Sequence, residues 1–233
     1  MLAIFKREFK SYFKTPIGYI VLAAYYLILG IFFTAIFTEG TPGVHMLVLS
    51  MSIVVAFTVP IITMRLMSED RRSKVDQILL TSPVRLTGIV LGKFFAAMCV
   101  YALGFAPTVI FELIVAGYVK VNVFSYVYAL FGMMLLGAAC IAIGMFISSL
   151  TESPAVSAIV TLVVSILLIY MSVFSTMVNV KWISKILEKA AFFEVLESFG
   201  KTVFSVSDVV YFLSIAAAFL FLTVRSLEKR RWA

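Results

Sequence analysis

The chain has 233 residues, of which 63% are hydrophobic and 13% charged, and its net charge is +7. Soluble domains carry roughly 45–50% apolar and about 25% charged residues. This composition therefore excludes an ordinary soluble enzyme or binding module, and the length leaves little room for a second, soluble domain.

The first residues, MLAIFKREFKSYFKTP, put Leu2, Phe5, Phe9 and Tyr12 at helical spacing, with Lys6, Lys10 and Lys14 as a second stripe. That pattern predicts an amphipathic helix over 1–15 lying in the membrane interface, with Pro16 marking the turn into a first span. A plain basic anchor for that span is the alternative. Six uncharged stretches follow: Ile17–Phe37, Met46–Met64, Phe94–Phe111 with an apolar turn beyond Glu112 to Tyr118, Val121–Thr151, Ser153–Val180 and Val209–Val224. A helix of about 20 residues crosses a hydrocarbon core of about 30 Å. The last stretch is the shortest, but Ser205–Ser207 and the flanking residues extend it, and six crossings return the chain to its starting side.

Inside lipid only helices and closed barrels satisfy the backbone, and these stretches lack the period-two alternation of barrel strands. The expected fold is all-α, a polytopic membrane protein with six transmembrane helices over about 17–37, 46–66, 92–118, 123–149, 154–179 and 206–225, forming a single transmembrane domain over 1–233. The first stretch is longer than a signal-peptide core and shows no small-x-small cleavage site, so it reads as a retained span.

Cytoplasmic loops hold the excess of Lys and Arg. With the N-terminus inside, the inner side collects Lys6, Arg7, Lys10, Lys14, Arg65, Arg71, Arg72, Lys74, Arg85, Lys93, Arg225, Lys229, Arg230 and Arg231. Only Lys120, Lys181, Lys185, Lys189 and Lys201 remain outside. Both termini are then cytoplasmic in a cell (inner) membrane, and topology accounts for the positive charge without a nucleic-acid partner.

Between the second and third spans, Glu69, Asp70, Arg71, Arg72, Lys74 and Asp76 concentrate both signs, and Val75, Ile78 and Leu79 add an apolar face before Pro83. Segment 67–83 reads as a short cytoplasmic helix shaped for docking to another protein, or as a solvated loop. On the outer side, Trp182, Ile186, Phe193, Leu196, Phe199 and Val203 recur at steps of three, four or seven, which predicts outer amphipathic helices over 182–204.

Catalytic and cofactor motifs are missing. Gly88-Ile-Val-Leu-Gly92-Lys93 has three residues between its glycines where a phosphate loop needs four, and Phe94 stands where the magnesium-binding Ser or Thr belongs. His45 has no ligand partners by spacing, and Cys99 and Cys140 lie in apolar stretches where a thiol acts as a small hydrophobe. Glu112 is different, since a carboxylate within a span is costly and tends to face a bundle interior or water. Pro107, five residues earlier, frees a backbone carbonyl. Together they mark a candidate substrate path, with a wet position near the outer headgroups as the alternative for Glu112. Gly132, Gly137, Cys140, Gly144 and Ser148 give the fourth span a small-residue face suited to packing inside the bundle or to a dimer seam.

Several segments together resemble the membrane subunit of an ATP-binding-cassette (ABC) transporter of the type-2 permease family. They are Arg7-Glu8-Phe9-Lys10-Ser11-Tyr12-Phe13 with Pro16 and Tyr19; Met64-Arg65-Leu66 with Glu69, Arg71 and Arg72; Leu79-Leu80-Thr81-Ser82-Pro83-Val84; Leu91-Gly92-Lys93-Phe94; Ser148-Ser149-Leu150-Thr151-Glu152; and Leu227-Glu228-Lys229-Arg230-Arg231-Trp232. The similarity is strongest to the subgroup of gliding-motility and nitrous-oxide-reductase-maturation permeases. It implies two permease subunits, identical or different, working with two cytoplasmic ABC ATPases, so ATP is bound by a separate partner and this chain holds no cofactor. It also implies that segment 67–83 is a coupling helix, with Glu69, Asp70, Arg71, Arg72, Lys74 and Asp76 as the expected ATPase-coupling residues. Membrane lipid and an extracytoplasmic accessory protein complete the expected partners. The sparse polar content of the spans favours export of a lipid, peptide or amphipathic compound; the alternative is a non-transporting anchor or scaffold that passes ATPase motion to outer partners.

Overall fold

The computed structural model describes residues 1–38, 44–74, 85–118, 122–172, 191–200 and 205–231, and every regular element among them is helical. The helices are α1 (Leu2–Lys14), α2 (Pro16–Thr38), α3 (Val44–Ser50), α4 (Ser52–Thr63), α5 (Ser68–Arg72), α6 (Leu86–Ala116), α7 (Val123–Leu150), α8 (Pro154–Ile169), α9 (Phe192–Gly200) and α10 (Val206–Arg231). Five segments are long and apolar enough to cross a membrane: Pro16–Ala35, Ser52–Arg72, Leu86–Ala116, Val123–Leu150 and Val206–Arg230. Helix α8 is apolar but shorter. Among the described residues the shortfall falls on the fifth expected span, whose residues 173–179 lie outside them, as do 182–190 and 201–204 of the expected outer helices; the short uncharged window of the sixth sits within the 26 residues of α10.

Three boundaries differ from the sequence reading. The stretch over 46–66 is divided at Met51, whose amide is shared between the carbonyls of Leu47 (3.2 Å) and Val48 (3.3 Å). The Ser50 hydroxyl donates back to the Met46 carbonyl at 2.8 Å, a bond that bends helices by competing with the backbone ladder. Helix α6 begins at Leu86 instead of 92, which draws Gly88 into regular helix ahead of Gly92 and Lys93. At the other end of the chain, α10 runs on to Arg231, past the expected boundary at 225.

Helix α7 is the spine of the bundle: α10, α3, α4, α9, α8 and α6 all pack on it. Its small residues explain how. A Cβ on Gly132 would lie 2.8 Å from the ring of Phe199 on α9, and one on Gly137 would run into the Tyr101 ring of α6. On Gly144 it would strike Thr63 of α4 and Thr161 of α8. These glycines serve contacts within the chain. Tyr101 then donates from its hydroxyl to the Met133 carbonyl at 2.8 Å, and its ring packs edge-on to Phe105, as does that of Tyr25 from α2.

Pro107 lies inside α6 and leaves the carbonyl four residues back without its helical donor. That carbonyl belongs to Leu103, and the Tyr26 hydroxyl of α2 donates to it at 2.8 Å. The freed group is therefore satisfied by an adjacent helix. Helix α9 is packed into the bundle, with Phe192, Leu196 and Phe199 all buried; Phe192 takes the core position where the periodicity had put Phe193, which stacks instead on Tyr170.

Two glycine substitutions in the long helices separate packing from propensity. Gly137→Ala is expected to lower stability by about 1–3 kcal/mol through overpacking against Tyr101. Gly88→Ala, where nothing lies within 4 Å, is expected to be neutral or to gain up to about 1 kcal/mol from helix propensity. Thermal unfolding of the two variants in one detergent measures the contrast.

Candidate functional site

The charged residues expected to dock a partner gather at one end of the bundle, where α4 gives way to α5. The turn between them, residues 64–67, interrupts the helical ladder and exposes carbonyls that have no partner within the helix. Side chains from three other helices take them. The Tyr12 hydroxyl of α1 donates to the Ile62 carbonyl at 2.7 Å. Lys93 Nζ of α6 donates to the Leu66 carbonyl at 2.6 Å, and the Ser148 hydroxyl of α7 donates to the Met64 carbonyl at 3.2 Å. Ser148 Oγ also accepts the backbone N–H groups of Met67 (3.2 Å) and Ser68 (3.1 Å). It thus caps the N-terminus of α5 from another helix, the task usually given to the residue at the helix start.

Lys93 is the centre of the arrangement. Its side chain is 1% exposed and its ammonium lies 3.1 Å from Glu8 Oε1 and 2.7 Å from Asp70 Oδ2. Two of its three donors go to Glu8 and to the Leu66 carbonyl. The Asp70 contact is ionic and lacks hydrogen-bond alignment: Oδ2 is buried and has no aligned donor among the described residues. Arg7 closes the set at 2.7 Å from Glu8 and 3.9 Å from Asp70. Two cations and two anions from α1, α5 and α6 balance one another. A buried charge costs several kcal/mol to desolvate unless it is paired in this way.

Burial, with the charges of Glu8 and Glu69 adding to it, raises the Tyr12 phenol well above its ordinary pKa. Tyr12 therefore stays a neutral donor to Ile62 throughout the physiological range.

Helix α5 carries Glu69 and Asp70 in its first turn and Arg71 and Arg72 in its last, the order that the helix dipole favours. Arg71 bridges to Glu152 at 2.7 Å and donates to the Leu150 carbonyl at 3.0 Å, clamping α5 to the end of α7. Arg65 approaches Glu69 at 3.8 Å. Lys74 follows in the left-handed region with φ 58°, a conformation that strains a residue bearing a Cβ. The result is a short charged ridge between two open clefts. One, of about 310 Å³, lies toward α1 and is lined by residues that include Arg7, Tyr12, Arg65 and Glu69. The other, of about 600 Å³, lies toward the start of α8 and is lined by Arg65, Glu69, Arg72 and Pro154 among others.

The structure thus brings Glu69, Asp70, Arg71, Arg72 and Lys74 together; Asp76 lies outside the described residues. Glu112 and Pro107 are elsewhere on α6, toward its far end. Glu112 is 7% exposed, and its Oε2 has no hydrogen-bond partner among the described residues. Within the chain its side chain is packed one turn from Thr108, whose hydroxyl meets that of Tyr126 at 2.8 Å.

Glu8, Lys93 and Ser148 are site residues that the sequence reading passed over. A signal was present for one of them: Glu8 falls on the same helical face as Phe5, Phe9 and Tyr12, so a carboxylate interrupts an apolar stripe. Lys93 falls at the start of the expected third span among the inner-side cations, and spacing gives no sign that it is buried.

The family described as "ABC-2 type transporter" matches residues 1–196 of the chain, from α1 through most of α9. The match covers most of the sequence, and the chain belongs to this family. It is a multi-pass membrane protein and an ABC-transporter permease component. No curated protein matches the chain.

Removing either half of the junction has a distinct expected cost. Ser148→Ala leaves two buried amides unpaired and is expected to destabilise by about 1–3 kcal/mol. Lys93→Met leaves buried Asp70 with only Arg7, 3.9 Å away, and is expected to lose about 3–5 kcal/mol. Adding Glu8→Gln and Asp70→Asn to Lys93→Met should recover part of that loss, as read by thermal unfolding in detergent.

Proposed function

We propose that this chain is the membrane half of an ABC exporter of the gliding-motility and nitrous-oxide-reductase-maturation permease type. It works as a pair of permease subunits with two cytoplasmic ATPases in the cell (inner) membrane. In this reading the chain crosses the membrane six times, with 154–179 as the fifth span, and keeps both termini cytoplasmic. Helix α1 lies in the inner interface, segment 67–83 is the coupling helix, and segment 182–204 forms outer helices before the last span. The cargo is a lipid, peptide or amphipathic compound.

The observation that carries the reading is the ridge of α5, charged at its tip and stapled at its base to three other helices. Opposite charges on an exposed edge set register and partner choice at an interface, so Glu69, Arg71, Arg72, Lys74 and Asp76 are suited to an ATPase cleft. A push delivered there has little freedom to dissipate locally. Asp70 and Leu66 hold α6 through Lys93, Arg71 and the Ser148 cap hold α7, and Tyr12 and Glu8 bring α1 along. The displacement thus reaches the helices as a rigid-body shift of packed elements, the way small local movements are transmitted in close-packed proteins.

Co-purification from detergent-solubilised membranes of the native host, read by mass spectrometry, tests this. The unmodified chain is expected to retain an ATPase with Walker motifs. Replacing Glu69, Arg72, Lys74 and Asp76 with Ala, with the bracing Asp70 and Arg71 kept, should release it from a chain that still behaves as a folded, monodisperse protein. An intact chain that retains no such ATPase refutes the permease–motor partnership. Glu69→Lys alone is expected to reduce retained ATPase about tenfold or more, the scale of one lost interfacial charge contact.

A further inference from the structure

The cleft between α1 and the α4–α5 junction has features that partner docking does not use. It opens at the elbow where α1 ends and α2 begins. Thr15 ends α1 in an extended conformation, φ −99° and ψ 151°. Two residues into α2, a Cβ on Gly18 would lie 2.5 Å from the Tyr12 carbonyl oxygen, so the elbow is as tight as glycine permits. Beside it the rings of Phe5, Phe9, Phe13 and Tyr19 form a continuous ladder with centroids 5.2–6.0 Å apart. Aromatic side chains in such a position mark the membrane–water boundary. If α1 lies in the interface, as proposed above, the cleft opens at the depth of lipid headgroups.

Its lining is chemically divided. Tyr12, Ile17 and Leu66 supply an apolar floor, Arg7 and Arg65 supply guanidinium groups, and Glu69 supplies a carboxylate. Arg65 and Glu69 are 37% and 55% exposed and only 3.8 Å apart, a loose pair with donors and acceptors to spare. The carboxylates of Glu8 and Asp70 also line the cleft but are engaged by Lys93 and by Arg7, which gives two of its five N–H donors to Glu8 and keeps the others. The charges therefore balance, unlike the basic clusters that gather anionic lipids. The volume of about 310 Å³ is at the small end of ligand sites.

We infer that this cleft binds the headgroup of an inner-leaflet phospholipid that carries both a phosphate and a primary ammonium, as phosphatidylethanolamine does. Arg7 and Arg65 receive the phosphate, for which the planar guanidinium is suited, while Glu69 receives the ammonium and the acyl chains run along the exposed apolar face of α2. The lipid would then sit against the coupling ridge and brace it.

Native mass spectrometry of the purified full chain, delipidated and then exposed to mixed micelles of phosphatidylethanolamine and phosphatidylglycerol, tests the site. The unmodified chain is expected to retain phosphatidylethanolamine in preference. Arg65→Gln should reduce that retention about tenfold, the scale of one charge-assisted hydrogen bond, whereas Lys14→Gln, outside the cleft, should not. Glu69→Gln leaves the cleft with excess positive charge and should turn the preference toward phosphatidylglycerol, a gain that a misfolded variant does not produce. Equal retention of both lipids by the unmodified chain overturns the proposal. So does displacement by soluble glycerophosphoethanolamine at lipid-equivalent concentration, which would mark a soluble ligand, or loss of the lipid on adding the partner ATPase, which would assign the cleft to that partner. ATPase retention is scored separately in membranes, so failure of the lipid site is distinguishable from failure of the permease reading.

Discussion

Everything at the charged end of this protein depends on one ammonium group that has nowhere else to go. Lys93 sits inside a long apolar helix with its side chain 1% exposed, and water cannot solvate it there. The protein must compensate it, and does so with a hydrogen-bonded carboxylate from α1, an ion-paired carboxylate from α5 and a carbonyl from the turn between α4 and α5. Because an unpaired buried charge is far costlier than a paired one, the three segments cannot separate without exposing or stranding charge. A small electrostatic requirement thereby ties the N-terminal helix, the charged ridge and the third long helix into one body.

The second device is the treatment of interrupted backbone. Breaks in a helix within or beside the membrane leave polar groups that lipid cannot satisfy. Here three such places meet a hydroxyl from another helix: Tyr26 at the carbonyl freed by Pro107, Tyr12 and Ser148 at the end of α4, and Ser148 again at the first amides of α5. These bonds are long-range in sequence, so each fixes the placement of two helices as well as satisfying a group. Glycines on α7 supply the steric complement, letting Phe199, Tyr101, Thr63 and Thr161 approach a backbone that any Cβ would hold away. The bundle is consequently stiff near its spine, while α2 and α10 present much of their surface outward.

Such a construction suits transmission. A ridge bonded to α1, α6 and α7 has the bracing that the proposed coupling requires. Glu112, in contrast, stands apart, a buried carboxylate at the other end of α6 beside a Thr108–Tyr126 hydroxyl pair. The two polar regions share one helix, so under the proposed coupling α6 is the element that would link the charged end to a polar group deep in the bundle.

Hydrophobic patterning alone determined that the chain is helical and membrane-spanning, roughly where most long helices run, and that charge of both signs gathers in the break after the second span. These are readable because lipid imposes a uniform rule on every residue of a span, independent of what packs beside it. The small-residue face of α7 and the consequence of Pro107 were legible too, as possibilities without named partners. Lys93 was not legible as a hub, since a cation near a helix start has the same sequence signature whether it is solvated or buried, and only the approach of α1 removes its water. Nor could spacing show that Ser148 caps a helix some 80 positions away, that Phe192 and not Phe193 turns inward, or that Ser50 breaks the second span. Those outcomes depend on which helices come to lie side by side, and tertiary packing decides them through the demand that every buried polar group find a partner.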